Sequence, residues 1–122
     1  RYATDTPVEA GDVVMLGGIE EITKCEEAVS DAVFGVVSSS PAYLMNAEAG
    51  NNDTHPAIAL TGRVPVKVRG TGKAGDRIVS AGSGEARVAA EDEATTFNTL
   101  GRLIKDKYNE ETALTECVIG VK

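Results

Sequence analysis

Two stretches of the chain are written to nearly the same template. Glu9-Ala10-Gly11-Asp12-Val13-Val14-Met15-Leu16-Gly17-Gly18 and Lys73-Ala74-Gly75-Asp76-Arg77-Ile78-Val79-Ser80-Ala81-Gly82-Ser83-Gly84 each set Ala-Gly-Asp before a four- or five-residue apolar run and close it with a glycine-rich turn. Gly-Asp favours a turn, the aliphatic run favours extended backbone, and the closing glycines supply the positive φ of a tight hairpin, so each stretch reads as turn, strand, hairpin. The echo continues at nearly the same offset, with Phe34-Gly35-Val36-Val37 answered by Leu100-Gly101-Arg102-Leu103. Two readings stay open: a duplicated strand plan within one compact β domain, or the Gly-Asp turns that all-β chains use repeatedly.

At 122 residues the chain fits one domain, residues 1–122, large enough to bury a core without covalent staples. Aromatics make up 4% and Trp is absent, so the core is expected to consist of Val, Ile, Leu and Ala, which pack well on pleated sheet. The expected fold is all-β, a barrel- or sandwich-like domain of short strands with one long loop. The balance of 12 basic against 19 acidic residues, net −7, disfavours nucleic acid and anionic membranes as partners. No apolar run approaches the ~20 residues that span a bilayer as a helix. The opening Arg1 is compatible with a fragment boundary, a processing site or an order boundary. Cys25 and Cys117 stand far apart and outside any metal-ligand spacing; Cys117 lies in an apolar final run, Leu114 to Val121, where a buried thiol behaves as a small hydrophobe.

Strands are expected at Val13 to Leu16, Ile19 to Lys24, Val33 to Val37 and Ala57 to Thr61. Between them, Ser38 to Pro56 is irregular, with two prolines and Asn51-Asn52-Asp53; it reads as a mobile surface loop or as a binding loop or intersubunit arm. Arg63-Val64-Pro65-Val66-Lys67-Val68-Arg69 alternates strictly, placing three valines on one face and Arg63, Lys67 and Arg69 on the other. Pro65 cannot donate to a ladder, which predicts an edge strand or one whose missing N–H faces outward. The basic stripe then serves either as edge protection or as a contact to the acidic surface of another subunit. From Ala94 to Tyr108 the apolar Phe97, Leu100, Ile104 and Tyr108 have helical spacing, but Thr95-Thr96 and Gly101 oppose a helix, and a strand from about Asn98 to Ile104 is expected.

Catalytic signals are weak. His55 is the one histidine and has no nucleophile motif beside it, although Ser38 to Ser40 and Asp53 are near in sequence. The acidic groups Glu20-Glu21, Glu26-Glu27 and Glu91-Asp92-Glu93 read as solvated loops. Gly70-Thr71-Gly72-Lys73 lacks the GxxxxGK[ST] frame of a phosphate-binding loop and reads as a turn. No catalytic residue, metal site or cofactor is assigned.

The ordered series Arg1-Tyr2, Glu9 to Val14, Gly35-Val36-Val37-Ser38, Ser40-Pro41-Ala42-Tyr43-Leu44-Met45-Asn46, Ile58 to Val68 and Gly75-Asp76-Arg77-Ile78-Val79 resembles the C-terminal domain of bacteriophage tail-fibre and appendage proteins. In particular it resembles the self-cleaving intramolecular chaperone domain of the G2 peptidase type. The resemblance spans nearly the whole chain. It implies a β-rich domain at the distal end of a virion fibre, made in the host cytoplasm, that assembles as a homotrimer and helps the upstream shaft fold in register. In many members an Asp-x-Ala-Glu motif precedes the position matching Tyr2; this chain opens at Arg1, and no hydrolytic turnover is expected of it. The expected subunit interface comprises Tyr43, Leu44, Met45, Arg63 and Lys67. Alternative readings are an autoproteolytic chaperone domain and a fibre tip that recognises bacterial surface glycan, for which Tyr2, Tyr43 and Tyr108 are the available aromatics.

Overall fold

A computed structural model describes residues 4, 8–17, 22–30, 32–38, 58–95 and 98–120. Across these residues the chain is all-β: β1 (Val13–Leu16), β2 (Ile22–Lys24), β3 (Val33–Val37), β4 (Ile58–Ala59), β5 (Gly62–Arg69), β6 (Arg77–Gly82), β7 (Glu85–Val88), β8 (Gly101–Leu103) and β9 (Ala113–Ile119). The first four form a sheet in the order β2-β1-β3-β4, and the other five close a barrel in the order β5-β7-β6-β8-β9.

The echo in the sequence is an echo in the structure. Gly11 and Gly75 have φ of 93° and 92°, a left-handed conformation that glycine adopts at no steric cost. Each is followed by an aspartate whose carboxylate accepts the N–H three residues back, Asp12 from Glu9 at 2.8 Å and Asp76 from Lys73 at 2.9 Å. The hairpins that follow keep one register: Val14 faces Lys24 as Ile78 faces Val88, and Met15 faces Thr23 as Val79 faces Arg87. Val14 also pairs with Gly35 as Ile78 pairs with Gly101. Even the parallel bridge of Thr4 to Ile22 has its counterpart in Val68 to Ala86.

The two units differ in closure. In the second, β5 pairs antiparallel with β9 from Gly62↔Ile119 to Val68↔Ala113 and parallel with β7 at Val68 and Arg69. β5 is therefore a barrel strand rather than an edge. Pro65 fits because the Lys67 N–H, on the same side of the strand, points away from β9 to the Gly11 carbonyl at 2.9 Å, so the missing donor at Pro65 costs the β5–β9 ladder nothing. The β6–β7 hairpin turns through Ser83 and Gly84, both at positive φ, as a two-residue turn requires.

Val64, Val66 and Val68 enter the barrel core with Ile78, Ala86, Leu100, Leu103, Cys117 and Ile119, and Val13, Cys25, Val36 and Ala59 of the first unit join the same cluster. The opposite face of the first sheet buries Val14, Ile22, Val37 and Ile58 under Val8, Phe34 and Leu60. Backbone bonds stitch the units together: Val13 N–H to the Gly84 carbonyl at 2.7 Å, Gly84 N–H to Cys25 at 2.8 Å and Val29 N–H to Ser80 at 2.8 Å. The Ser80 hydroxyl adds a further tie, donating to the Glu27 carbonyl and accepting from the Ser30 N–H, both at 2.8 Å.

Candidate functional site

The outward face of the β5–β9 ribbon carries the basic stripe read from the sequence, and each of its cations is engaged within the chain. Arg63 Nε lies 2.6 Å from Glu116 of the neighbouring strand, and Arg69 lies 2.6 Å from Glu85. Lys67 reaches across to the first unit, with its ammonium 2.7 Å from Asp12 Oδ1 and in contact with Glu9. Asp12 is 1% exposed, so this is a partly buried ion pair between units rather than a solvated surface contact. Burial pulls the Lys67 ammonium down, but the bonds to Asp12 and Glu9 together outweigh it and leave the group raised. Glu9 is correspondingly held below its ordinary range by the Lys67 hydrogen bond. Leu114, opposite Lys67 on β9, is 59% exposed yet lies so near Gly11 that a Cβ there would fall 2.3 Å from its methyl.

A second constellation lies where the turn after β5 meets the loop from 104 to 112. Lys107 is 7% exposed, and its ammonium donates to three backbone carbonyls, Gly70 at 2.6 Å, Asn109 at 2.8 Å and Glu111 at 2.7 Å. Burial lowers this ammonium, and the charges of Glu110 and Glu111 oppose the shift in part. Reciprocal backbone bonds between Gly72 and Lys107, at 2.8 and 3.0 Å, fix the loop further. The next residue, Tyr108, is turned outward and is 85% exposed. Its hydroxyl donates to Asp106 Oδ2 at 3.2 Å, and Asp106 Oδ1 accepts the Ala74 N–H at 2.7 Å. The Ala74 bond and the Tyr108 hydroxyl hold the Asp106 carboxyl below its usual range; the Asp106 hydrogen bond raises the phenol. A cleft of about 420 Å³ opens on one side of Tyr108, toward Lys105, Asn109, Leu114 and Thr115, and another of about 400 Å³ on the other, toward Thr71, Gly72 and Lys73.

Both cysteines are free and buried. Burial, helped by the Glu116 charge, pushes the Cys117 thiol up to about 12, so it remains an unreactive thiol at neutral pH. Among the described residues no group of three or more His, Cys, Asp and Glu is placed to hold a metal. Of the interface residues expected from the sequence, Arg63 and Lys67 share the β5 face, while Tyr43, Leu44 and Met45 lie outside the described residues, as do His55, Asp53 and most of the Ser38 to Pro56 loop. Sequence reasoning did not single out Lys107, and it placed Tyr108 both among the helically spaced apolar residues and among three aromatics available to a glycan, without the exposed position the structure gives it. The available signal was the run Lys105-Asp106-Lys107-Tyr108-Asn109, in which one aromatic stands among charged and polar neighbours with no apolar partner at strand spacing. Compared with known proteins, the chain matches no family model, and no curated protein is similar enough to count as a relative.

Proposed function

We propose that this chain is the distal assembly domain of a phage tail fibre or tailspike, a virion structural module that forms a homotrimer and sets the register of the shaft that precedes it. The observation that carries this reading is the interlock of two β units, joined by backbone bonds, the Ser80 hydroxyl and the Lys67–Asp12 pair into one body with a shared core. A body of that kind folds as a unit and presents fixed surfaces, which is what a domain needs if it is to align three long chains before they zip; early association lowers the entropy of that alignment. The sequence resemblance supplies the fibre context, and the engagement of the polar side chains in structural bonds favours a scaffold over a catalyst. Exposed Leu16 and Leu114 offer apolar area for association. Tyr43, Leu44 and Met45 are the proposed contact segment. Light scattering at micromolar concentration is expected to give the mass of a trimer, and replacing Leu44 and Met45 together by Asp is expected to dissociate it. A monomer mass for the unaltered chain overturns the reading.

A further inference from the structure

We infer that the carbonyl oxygens of Gly70, Asn109 and Glu111 form a binding site for a primary ammonium group, which the chain fills with its own Lys107 and which takes a free alkylammonium ion when that side chain is removed. Lys107 is 7% exposed, and its ammonium lies 2.6, 2.8 and 2.7 Å from those three oxygens. An ammonium carries three N–H donors and no acceptor, so three carbonyls match it one for one and leave no donor over. Hydrogen bonds from a charged donor are also stronger than neutral ones. The arrangement therefore selects for both the shape and the charge of a primary ammonium.

The ring of carbonyls has its own support, separate from the side chain that occupies it. The Gly70 N–H donates to the Glu110 carbonyl at 3.1 Å, the Gly72 N–H to the Lys107 carbonyl at 3.0 Å and the Lys107 N–H to the Gly72 carbonyl at 2.8 Å. These backbone bonds hold the turn after β5 against the 104–112 loop, and a receptor kept in its bound shape loses little freedom when a ligand enters. An emptied ring leaves three carbonyls without their donors, a loss that an incoming ammonium reverses. The charges of Glu110 and Glu111 oppose the burial cost of a cation here, so a neutral donor of the same size gains less. Access is provided by the clefts of about 420 and 400 Å³ on either side of Tyr108, since Lys107 lines both and its removal opens the ring to them. Lys107→Ala keeps Cβ and deletes a fragment the size of n-propylammonium. In the intact chain the tethered ammonium acts at high effective concentration, which shuts out free amines.

This inference stands apart from the assembly reading, and the two fail separately. Two measurements on the full chain test it. In the unaltered, isotopically labelled protein the Lys107 Nζ protons are expected to exchange slowly with solvent and to show couplings through their hydrogen bonds to the carbonyl carbons of Gly70, Asn109 and Glu111. Protons that exchange as fast as those of the exposed Lys73 and Lys105 overturn the inference. Lys107→Ala is expected to melt several degrees below the unaltered chain and to regain most of that loss, saturably, as n-propylammonium chloride is added. Tetramethylammonium chloride, which has no N–H, and propanol, which has one donor and no charge, are expected to restore little, and the unaltered chain to gain nothing from the amine. Amide shifts on titrating the variant are expected at Gly70, Gly72 and residues 107–111. A Lys107→Ala protein that folds only with the amine present supports the inference. One that gains no more from n-propylammonium than from the two controls, or that stays unfolded with and without it, overturns it.

Discussion

The two β units share a turn, a hairpin register and a glycine opposite the first strand, yet one remains a sheet with both faces covered and the other closes into a barrel. Among the described residues the units diverge in how far their strands pair. β5 is long enough to pair seven residues with β9 and still reach β7, whereas β4, the counterpart of β9, pairs over two residues with β3. Closure alters what the shared parts tolerate. Asp12 and Asp76 make the same turn, but the β6–β7 hairpin and β5 pack over Asp12, which is buried and receives Lys67, while Asp76 stays partly exposed. Local sequence sets the turn; the environment decides whether its carboxylate also needs a counter-charge.

The sharpest way to break the comparison is at the paired glycines. A Cβ on Gly101 would lie 2.1 Å from the Val118 carbonyl oxygen in the closed barrel, and one on Gly35 would lie 2.5 Å from the Ala59 oxygen in the sheet. Both contacts are with backbone, but β4 is a two-residue strand that can yield, while β9 is held along its length by β5. Gly101→Ala is expected to cost more than about 3 kcal/mol and Gly35→Ala about 1–2 kcal/mol in urea denaturation. Equal losses would mean that closure adds no rigidity at this position.

Next in size is the aspartate pair. Asp12→Ala removes the partner of a partly buried ammonium and leaves Lys67 to Glu9 alone; the expected loss is about 2–3 kcal/mol, below the range for an isolated buried pair because Lys67 keeps some solvent. Asp76→Ala loses the turn's side-chain bond, about 1 kcal/mol. A comparable loss at the two sites in thermal or urea unfolding would show that burial of the first turn adds nothing. Lys107→Met, confined to the second unit, is expected to cost about 2 kcal/mol by leaving three carbonyls without their donor, with faster amide exchange at Gly70 and Gly72 while the first unit keeps its protection.

Much of the fold was legible. β1 and β3 fall on their expected bounds, and Val64, Val66 and Val68 point inward as their alternation required. The strand expected from about Asn98 to Ile104 is present but spans only Gly101–Leu103, and the helical spacing of Leu100, Ile104 and Tyr108 marks no common buried face: Leu100 is buried, Ile104 half-buried and Tyr108 exposed. What could not be read was non-local. The parallel β5–β7 pairing, the bond from Lys67 to the first unit and the Lys107 clamp each join residues whose spacing follows neither a helical nor a strand period. The basic stripe was read correctly as outward, but its counter-charges come from the turn at Glu9 to Asp12, from β7 and from β9.

The smallest expected effect separates the units by pH. Arg87, which stands where the first unit has Thr23, holds Glu93 through two bonds of 2.6 and 2.9 Å, and Glu93 also accepts the Ala90 N–H at 2.9 Å. The Arg87 bonds first, and the Ala90 bond second, lower the Glu93 carboxyl from 4.5 to about 2. A carboxyl depressed on folding stabilises the native state above its unfolded value, so this contribution is complete above about pH 4.5 and is lost as the pH falls toward 2. The pair is open to solvent, which screens it and keeps the effect modest. Urea midpoints of the unaltered chain and of Glu93→Gln are therefore expected to differ at pH 6 and to converge near pH 2, with added salt narrowing the gap at pH 6. A gap that stays constant down to pH 2 would assign the difference to packing around Gln and remove the ionic link from the barrel's acid response.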